Sequence, residues 1–525
     1  MTKVQILVAM IAYMLVVIGI GVYFMKRSQK NPENYFLGGR SLGPWVAAMS
    51  AEASDMSGWL LMGLPGVAYW CGLADAAWTA IGLAIGTYVN WLIVSKRLRN
   101  YSTIAGNSIT LPDFFSNRFK EKKKIILGIA STFILVFFAV YASSCFVTCG
   151  KLFAGLFDVD YHVMLVIGAL FVLIYTLIGG FLAESASDFM QSIVMLVALL
   201  GVVIFGVKEA GGFGAVIENA KSIDGYLSLS QLATPVVDEA GNQLFNNGVP
   251  VFGEPAPYGV LTICSMLAWG LGYFGMPQVL LRFMAIRKAG ELKRSRRIAT
   301  VWVVISLTAG VFIGIVGRAV MLKHPELTAG LATKSLSENV FAVLGEILFH
   351  PVVAGVIMAG ILAATISSSD SYLLIAGSAV SQGLYKGIFK KNASDKQVMW
   401  MSRIVILLIA LVGIVIAWDD KSIIFNIVSF AWAGFGATFG PLMLFSLFWK
   451  RTNRAGAVAG MLSGGIMVFF WKFVLNPLGG VFAIYELLPA FIVSSVFIVV
   501  VSLLTAEPSK EIQDEFESAK NYVEA

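Results

Sequence analysis

Polar and small residues interrupt an apolar stretch, PWVAAMSAEASDMSGWLLMGLPG, that is otherwise suited to one membrane-spanning helix. Its middle holds Glu52, Ser54, Asp55, Ser57 and Gly58. A carboxylate near the centre of a bilayer costs at least about 2.5 kcal/mol, so two within four residues need partners or a function. Small residues favour unwinding, which frees backbone carbonyls to bind a cation. The pattern predicts an interrupted, ion-binding helix, with pairing to a buried Arg or Lys as the alternative.

Two later segments show the same kind of disruption. In WGLGYFGMPQ, residues 269–278, Pro277 removes a backbone donor and the glycines tolerate unusual torsions, which predicts a helix that opens within the membrane. In AATISSSDSYLL, residues 363–374, polar side chains crowd one and a half turns: Ser367, Ser368, Asp370 and Ser371. Their oxygens suit a hard cation such as sodium. Taken singly, the serines could bond to their own helix and the aromatic residues could only pack.

A further acidic motif, ESASD at 184–188, lies in another apolar run. Glu184 is expected near the membrane edge and Asp188 a turn further in. Asp188 is therefore the acid of this motif that we expect to bind a cation.

These motifs belong to a chain built for lipid. Of its 525 residues, 58% are hydrophobic and 13% are charged, against roughly a quarter charged in a soluble domain. The first apolar run lacks the basic start and cleavage site of a signal peptide, which predicts a retained helix. Apolar runs predict thirteen spans in one membrane domain, 1–505, at 4–24, 44–70, 73–95, 124–154, 160–180, 184–207, 257–282, 298–322, 351–384, 400–418, 422–449, 455–475 and 482–505.

The formal charge of +7 is explained by orientation, because cytoplasmic loops of membrane proteins carry the Lys and Arg excess. Alternate loops are basic here, namely those with Lys26, Arg27, Lys30 and Arg40; with Lys96, Arg97, Arg99 and Lys122 to Lys124; with Arg282 to Arg297; with Lys386 to Lys396; and with Lys450, Arg451 and Arg454. The long loop 208–256 is acidic and is expected outside. The N-terminus is then outside and the tail 506–525 is cytoplasmic.

Two segments outside the spans carry separate expectations. Residues 338–350 are predicted to form a short amphipathic helix on the outer surface. The tail is expected to be a solvated terminus, with an amphipathic helix over Ser509 to Ala519 as the alternative.

Several classes of function are not expected. The four cysteines and three histidines show no metal-ligand spacing. No GxxxxGK[ST] phosphate loop appears, and no Ser/His/Asp set can be assembled for hydrolysis. The chain is therefore predicted to be a secondary transporter and not an enzyme.

The residues resemble the sodium/solute symporter family, and within it most closely the bacterial sodium/proline symporters. The resemblance covers nearly the whole chain. The pieces that carry it are YFLGGRSLGP at 35–44, ASDMSGWLLMGLPG at 53–66, WGLGYFGMP at 269–277, RFMAI at 282–286, AWAGFGATFGP at 431–441 and SLFWKR at 446–451.

The resemblance implies an all-α fold with an inverted five-helix repeat, whose halves would be about 44–207 and 257–449. It also implies sodium-coupled import of proline. The alternative that stays open is a sodium- or proton-coupled symporter for another small amino acid or a carboxylate. The implied sodium ligands are the carbonyls of Ala53, Met56 and Ala364 and the hydroxyls of Ser367 and Ser368. The implied substrate residues are Tyr141, Trp269, Tyr273, Pro277 and Ser57.

The resemblance further implies a coupling role for Asp55 and a possible second cation site at Asp188, Asp370 and Ser371. Glu52, beside Asp55, is the other residue expected to take part in coupling. Three positions depart from the usual pattern of the proline transporters. Glu52 replaces a glycine, Met276 a glutamine and Gln278 a histidine. For Glu52, a proton site, an influence on sodium affinity and a contact to a substrate amine all stay open.

Overall fold

The computed structural model describes residues 2–28, 31–246 and 248–522, and helices dominate this part of the chain. The first ten helices are α1 (Thr2–Ser28), α2 (Pro32–Leu37), α3 (Pro44–Gly58), α4 (Leu64–Cys71), α5 (Leu73–Val89), α6 (Ser95–Ile104), α7 (Leu111–Arg118), α8 (Ile125–Phe157), α9 (Tyr161–Ala210) and α10 (Phe213–Lys221). The others are α11 (Val260–Leu267), α12 (Pro277–Ala285), α13 (Leu292–Met321), α14 (Val340–Leu348), α15 (Pro351–Ser378), α16 (Asp395–Ile416), α17 (Ile424–Phe448), α18 (Arg454–Phe470), α19 (Leu487–Leu504) and α20 (Lys510–Asn521).

Several helices continue through irregular turns. Such turns are π-helical at Trp59–Gly63, Asn90–Val94, Ala379–Phe389 and Trp471–Leu475, and 3₁₀ at Ala268–Phe274 and Leu336–Asn339. Among the described residues between α10 and α11 there are four short strands, namely β1 (Gln231–Pro235), β2 (Phe245–Asn246), β3 (Val249–Pro250) and β4 (Phe252–Pro257). β1 pairs with β4 and β2 with β3, both antiparallel.

Ten helices in the described residues are long and apolar enough to cross a membrane, or eleven with the pair α11 and α12, which is bent by 41°. Starting from eleven, counting α9 as two spans and α3 with α4 as one further span gives thirteen, the number predicted from the sequence. At 1.5 Å per residue, the 50 residues of α9 would measure about 75 Å, more than twice the hydrocarbon thickness. Gly180 interrupts it with φ 70° and ψ 175°, at the last residue of the first of the two predicted spans.

The core of the protein lies around α15 and α17, whose apolar windows are mostly buried. By contrast, α1, α16, α18 and α19 leave most of theirs exposed, as expected of helices that face lipid. α15 packs against α1, α3, α8 and α9. The polar motif predicted in the ninth span is therefore at the centre of the bundle.

The loop 208–256 is folded onto the membrane domain rather than free. The Tyr226 hydroxyl donates to the carbonyls of Ala68 at 2.8 Å and Tyr69 at 3.0 Å. Arg318 donates to the Tyr69 carbonyl at 2.7 Å and to Gln243 Oε1 at 2.9 Å. Asn247 of this loop lies outside the described residues, as do Lys30 and the side chains of Lys26 and Arg27 in the first basic loop.

The segment 338–350, predicted as a short amphipathic helix at the outer surface, is helical and packs one face against the protein; its side of the membrane stays a prediction. Glu338 is buried and forms an ion pair with buried Lys151 of α8 at 2.7 Å. Its carboxylate also accepts the N–H groups of Ile424 and Phe425, each at 3.0 Å, at the start of α17. A carboxylate at a helix N-terminus accepts hydrogen bonds from N–H groups that have no partner within the helix, and its negative charge interacts favourably with the positive end of the helix dipole.

The tail also differs from the expectation of a solvated terminus, because α20 docks on the protein. Phe516 is buried against Tyr101 and lies 5.2 Å beneath the Arg118 guanidinium. Lys120 forms ion pairs with Glu511 at 3.0 Å and Glu515 at 2.7 Å. Residues 523–525 of the predicted tail lie outside the described part of the chain.

Replacing Phe516 should release α20. A buried Phe changed to Ala costs about 3 kcal/mol, so amide exchange across residues 510–521 should rise roughly a hundredfold in Phe516→Ala. The matched control is Ser518→Ala, an exposed position on the same helix. Hydrogen–deuterium exchange measures both, and equal exchange in the two variants would contradict the docking.

Candidate functional site

The second predicted span is interrupted where its polar residues lie. Ser57 has φ 33° and ψ −172°, which is not helical, and a π-helical turn follows at Trp59–Gly63. The Ser57 N–H donates to Ser368 Oγ at 3.0 Å, and Ser57 Oγ accepts the Trp59 N–H at 3.2 Å. The break therefore has its backbone donors satisfied by hydroxyls, which is required away from water.

Two serines of α15 face the same break from the other side. Ser367 Oγ donates to the Ala53 carbonyl at 2.8 Å and to the Ala364 carbonyl at 3.1 Å. Ser368 Oγ lies 3.4 Å from the Ala53 carbonyl. The structure thus brings together four of the five residues predicted as sodium ligands. The carbonyl of the fifth, Met56, accepts the Trp59 N–H on the same interrupted turn.

Asp55 links the break to two of the elements predicted to bind substrate. The Tyr141 hydroxyl donates to the Asp55 carbonyl at 3.3 Å, and Gln278 Nε2 donates to Asp55 Oδ1 at 3.3 Å. Gln278 follows Pro277, which begins α12 immediately after the second break. Tyr141 also stacks on Tyr372 with ring centroids 4.2 Å apart. Neither Gln278 nor Tyr372 was assigned a contact from sequence.

The second interruption, in the predicted span 257–282, is held in place by neighbouring side chains that pack closely against its backbone. Residues Ala268–Phe274 form a 3₁₀ turn between α11 and α12. The Trp269 carbonyl accepts Trp432 Nε1 at 2.8 Å, and the Tyr273 carbonyl accepts Asn90 Nδ2 at 3.0 Å. At Gly272 an added Cβ would lie 2.0 Å from Trp432 Nε1. Glycine is therefore required there by space.

Trp269 belongs to an aromatic cluster rather than standing alone. Its ring is stacked on Trp59 at 5.6 Å and on Tyr485 at 5.1 Å, and lies 5.5 Å from Phe425 and 6.0 Å from Trp432. Tyr273 contacts Trp432 edge to face at 5.0 Å. These aromatic residues pack on one another, and the cluster lies directly beside both breaks. The substrate-binding role of Trp269 and Tyr273 stays a prediction.

Glu52 is fully buried one turn before Asp55. Its Oε1 accepts Trp91 Nε1 at 3.1 Å, while its Oε2 has no hydrogen-bond partner in the described residues. Neither Glu52 nor Asp55 forms an ion pair with a described Lys, Arg or His, so the alternative of a buried ion pair does not apply to them. The function of Glu52 stays a prediction.

An arginine stands where the second cation was predicted. Arg282, assigned from sequence to a cytoplasmic loop, is fully buried on α12. It forms ion pairs with Glu184 and with Asp188 at 3.2 Å, and its Nη2 donates to Ser371 Oγ at 2.9 Å. The one indication in the sequence that Arg282 is buried is that it stands as a single basic residue inside the apolar run VLLRFMA. The loop assignment of Arg282 was wrong.

Comparison with solved structures identifies the fold. A sodium-coupled sialic acid symporter in a substrate-bound, outward-open state superposes with a TM-score of 0.75 at 19% identity, covering 96% of this chain and 99% of that one. A closed, ligand-bound nucleobase-cation-symport-1 transporter gives 0.55 at 13% identity, covering 94% and 100%. The fold is therefore that of a multi-pass all-α membrane protein with interrupted helices, as predicted from the sequence.

Sequence comparison identifies the family. The model of the sodium:solute symporter family matches residues 35–464. A sodium/proline symporter of Haemophilus influenzae is 42% identical over 515 residues, 97% of this chain and 96% of that protein. A high-affinity proline transporter of Bacillus subtilis is 42% identical over 500 residues, 94% and 97% of the two chains. The chain belongs to the sodium:solute symporter family, and it is a transporter and not an enzyme.

Gly272→Ala tests the close packing of the second break. The added methyl group must displace the Trp432 indole, and such overpacking costs about 1–3 kcal/mol. We expect a lower unfolding temperature in detergent together with loss of transport. The matched control is Gly259→Ala at the start of α11, where nothing lies within 4 Å of an added Cβ. Equal stability and transport in the two variants would refute the packing constraint.

Proposed function

We propose that this symporter imports L-proline with sodium by alternating access. The observation that carries the proposal is the pair of α15 hydroxyls, Ser367 and Ser368, directed at the opened turn of α3. The substrate is supported by the two proline-transporting relatives, each 42% identical over almost the whole chain. The alternative is another small amino acid or a carboxylate, which is favoured by the departures at Glu52 and Gln278.

The proposed sodium site consists of the carbonyls of Ala53, Met56 and Ala364 and the hydroxyls of Ser367 and Ser368. All five residues are buried, and their oxygens come from two helices that meet at the break. Neutral oxygens of this kind suit a hard monovalent cation. Sodium would replace hydrogen bonds that now join α3 to α15, and it would thereby hold the two helices in one arrangement.

The proposed substrate site lies on the other side of the α3 break, among Ser57, Tyr141, Trp269, Tyr273 and Pro277. Aromatic faces and a proline offer apolar contact to a pyrrolidine ring. Backbone groups at the two breaks, now bonded within the protein, would exchange those hydrogen bonds for the carboxylate and amine of an amino acid, as in other broken-helix transporters. Asp55 contacts both Tyr141 and Gln278, so it is suited to couple the ion site to the substrate site.

Coupling follows from the shared helix. If sodium and substrate both stabilise one arrangement of α3, each raises the affinity for the other, typically by about 1–3 kcal/mol. Import is driven by the sodium gradient and the membrane potential, the latter worth about 2.3 kcal/mol per charge per 100 mV.

The orientation and repeat organisation are part of the proposal. The alternation of basic loops supports an external N-terminus, an external 208–256 loop and a cytoplasmic tail. Interrupted helices at the starts of segments 44–207 and 257–449 support two five-helix repeats within a single domain.

Removing the α15 hydroxyls should weaken sodium dependence. Losing one hydrogen-bonding ligand to a charged group costs about 1.5–3 kcal/mol, so half-saturating sodium should rise roughly ten- to a hundredfold in Ser367→Ala or Ser368→Ala. Ser369→Ala is the matched control, because its hydroxyl donates to its own helix at Thr365 and Ile366. Sodium-dependent proline uptake measures all three variants. An unchanged sodium requirement in both Ser367 and Ser368 variants would rule out the site.

Competition assays identify the substrate and the contribution of Glu52. Unlabelled L-proline should suppress uptake of labelled L-proline far more strongly than other amino acids or carboxylates do. Glu52→Gln keeps the Trp91 contact but removes the charge, so its inhibition profile should shift if the carboxylate contacts a substrate amine. A stronger effect of another amino acid than of proline would favour the alternative substrate.

A further inference from the structure

One ring beside the proposed substrate site comes from outside the two proposed repeats. Tyr485 lies in the turn that precedes α19, beyond the segment 257–449. Its ring is stacked on Trp269, with ring centroids 5.1 Å apart and planes 21° from parallel. The other three rings that contact this indole lie between 5.5 Å and 6.0 Å from it. Among the described residues, Tyr485 is therefore the nearest ring to Trp269.

The Trp269 indole depends on its neighbours for its orientation. It is 1% exposed, and its Nε1 has no hydrogen-bond partner in the described residues. Buried side-chain donors usually have a partner, so this N–H group is available to a ligand. With no hydrogen bond of its own, the indole is held by the rings packed on it, because aromatic pairs prefer particular stacked geometries.

Tyr485 is itself fixed at two points. Its hydroxyl donates to the Ser429 carbonyl on α17 at 2.7 Å. Its backbone N–H donates to Ser265 Oγ on α11 at 3.4 Å, one helical turn before Trp269. The position of the phenol ring is therefore set by two helices that lie on either side of the second break in sequence.

Close packing of α19 on α17 fixes the turn that carries Tyr485. An added Cβ at Gly436 would lie 2.8 Å from Leu487 Cδ1. At Gly440, one turn further along α17, it would lie 2.7 Å from Phe491 Cε2. Interiors packed this closely do not allow a helix to shift freely, so the start of α19 keeps the Tyr485 ring against the indole.

We propose that Tyr485 is a positioning residue for substrate selection, which holds the Trp269 indole so that the indole limits the size of ring that the site accepts. The observation that carries the proposal is an anchored ring stacked on an indole that has no hydrogen bond of its own. A substrate larger by one methylene group has to displace the indole against this stack. The inference rests on the proposed transport of proline.

The test compares L-proline with L-pipecolate, whose ring is larger by one methylene group, as inhibitors of labelled L-proline uptake by the purified full chain in liposomes. The wild type should prefer proline by about 10- to 200-fold, which is what one methylene group is worth to an apolar pocket. In Tyr485→Ala the indole loses its nearest support, so this preference should fall roughly tenfold.

Three further variants separate positioning from general damage. Tyr485→Phe keeps the stacked ring and should keep the wild-type preference, although it loses the bond to Ser429. Tyr485→Leu keeps apolar volume without a ring, and its preference should fall as in Tyr485→Ala. Phe482→Ala is the matched control, because the Phe482 ring lies in the same hairpin but packs on Trp471 at 5.8 Å. Its preference should equal that of the wild type.

A wild type that accepts pipecolate as well as proline overturns the inference without any variant. Folded Tyr485→Ala or Tyr485→Leu protein with the wild-type preference also overturns it, and failure of both to fold would show a structural role instead. In each of these cases sodium-driven proline uptake by the wild type persists. Wild-type uptake that ignored sodium, or that proline did not inhibit, would overturn the proposed function and this inference with it.

Discussion

Backbone groups have no water to bind inside a lipid bilayer, so a helix that opens there must find its partners within the protein. The opening of α3 at Ser57 is the feature on which the rest of the architecture depends. Ser367 and Ser368 satisfy its free backbone groups from α15, and Tyr141 does so from α8. For this to happen, α15 must be central and buried, with α1, α8 and α9 packed around it. The same groups are then available to an ion.

Charge pairing inside the bundle follows the same constraint. Arg282 neutralises part of the negative charge that α9 brings to the centre, and its four partners fix the relative positions of four helices. The ion pair of Lys151 and Glu338 similarly joins α8 to the start of α17, because Glu338 also accepts the Ile424 N–H. Removing one partner from a buried pair leaves an uncompensated charge, which costs about 3–5 kcal/mol. Helices that move during transport must therefore carry these pairs with them or exchange them for others.

The sequence predicted the helix breaks and the polar residues at them, because glycine, proline and intramembrane acids are locally unusual. It predicted the spans, including the two halves of α9, because crossing the hydrocarbon layer requires long apolar runs that are visible in the sequence itself. It could not predict partners that depend on how helices are rotated. Arg282 was assigned to a loop because it ends an apolar run beside many basic residues. The inward packing of Glu338 and the docking of Phe516 depend on surfaces far away in sequence.

The most direct test of sodium-coupled proline import is accumulation of labelled proline by proteoliposomes that contain the purified chain. With an inward tenfold sodium gradient and about 100 mV of membrane potential, one sodium supplies about 1.4 plus 2.3 kcal/mol, a ceiling of roughly 500-fold accumulation. The account predicts proline accumulation against its own gradient that collapses when the sodium gradient and potential are dissipated. Accumulation that persists without sodium, or equilibration alone under the full gradient, would contradict it.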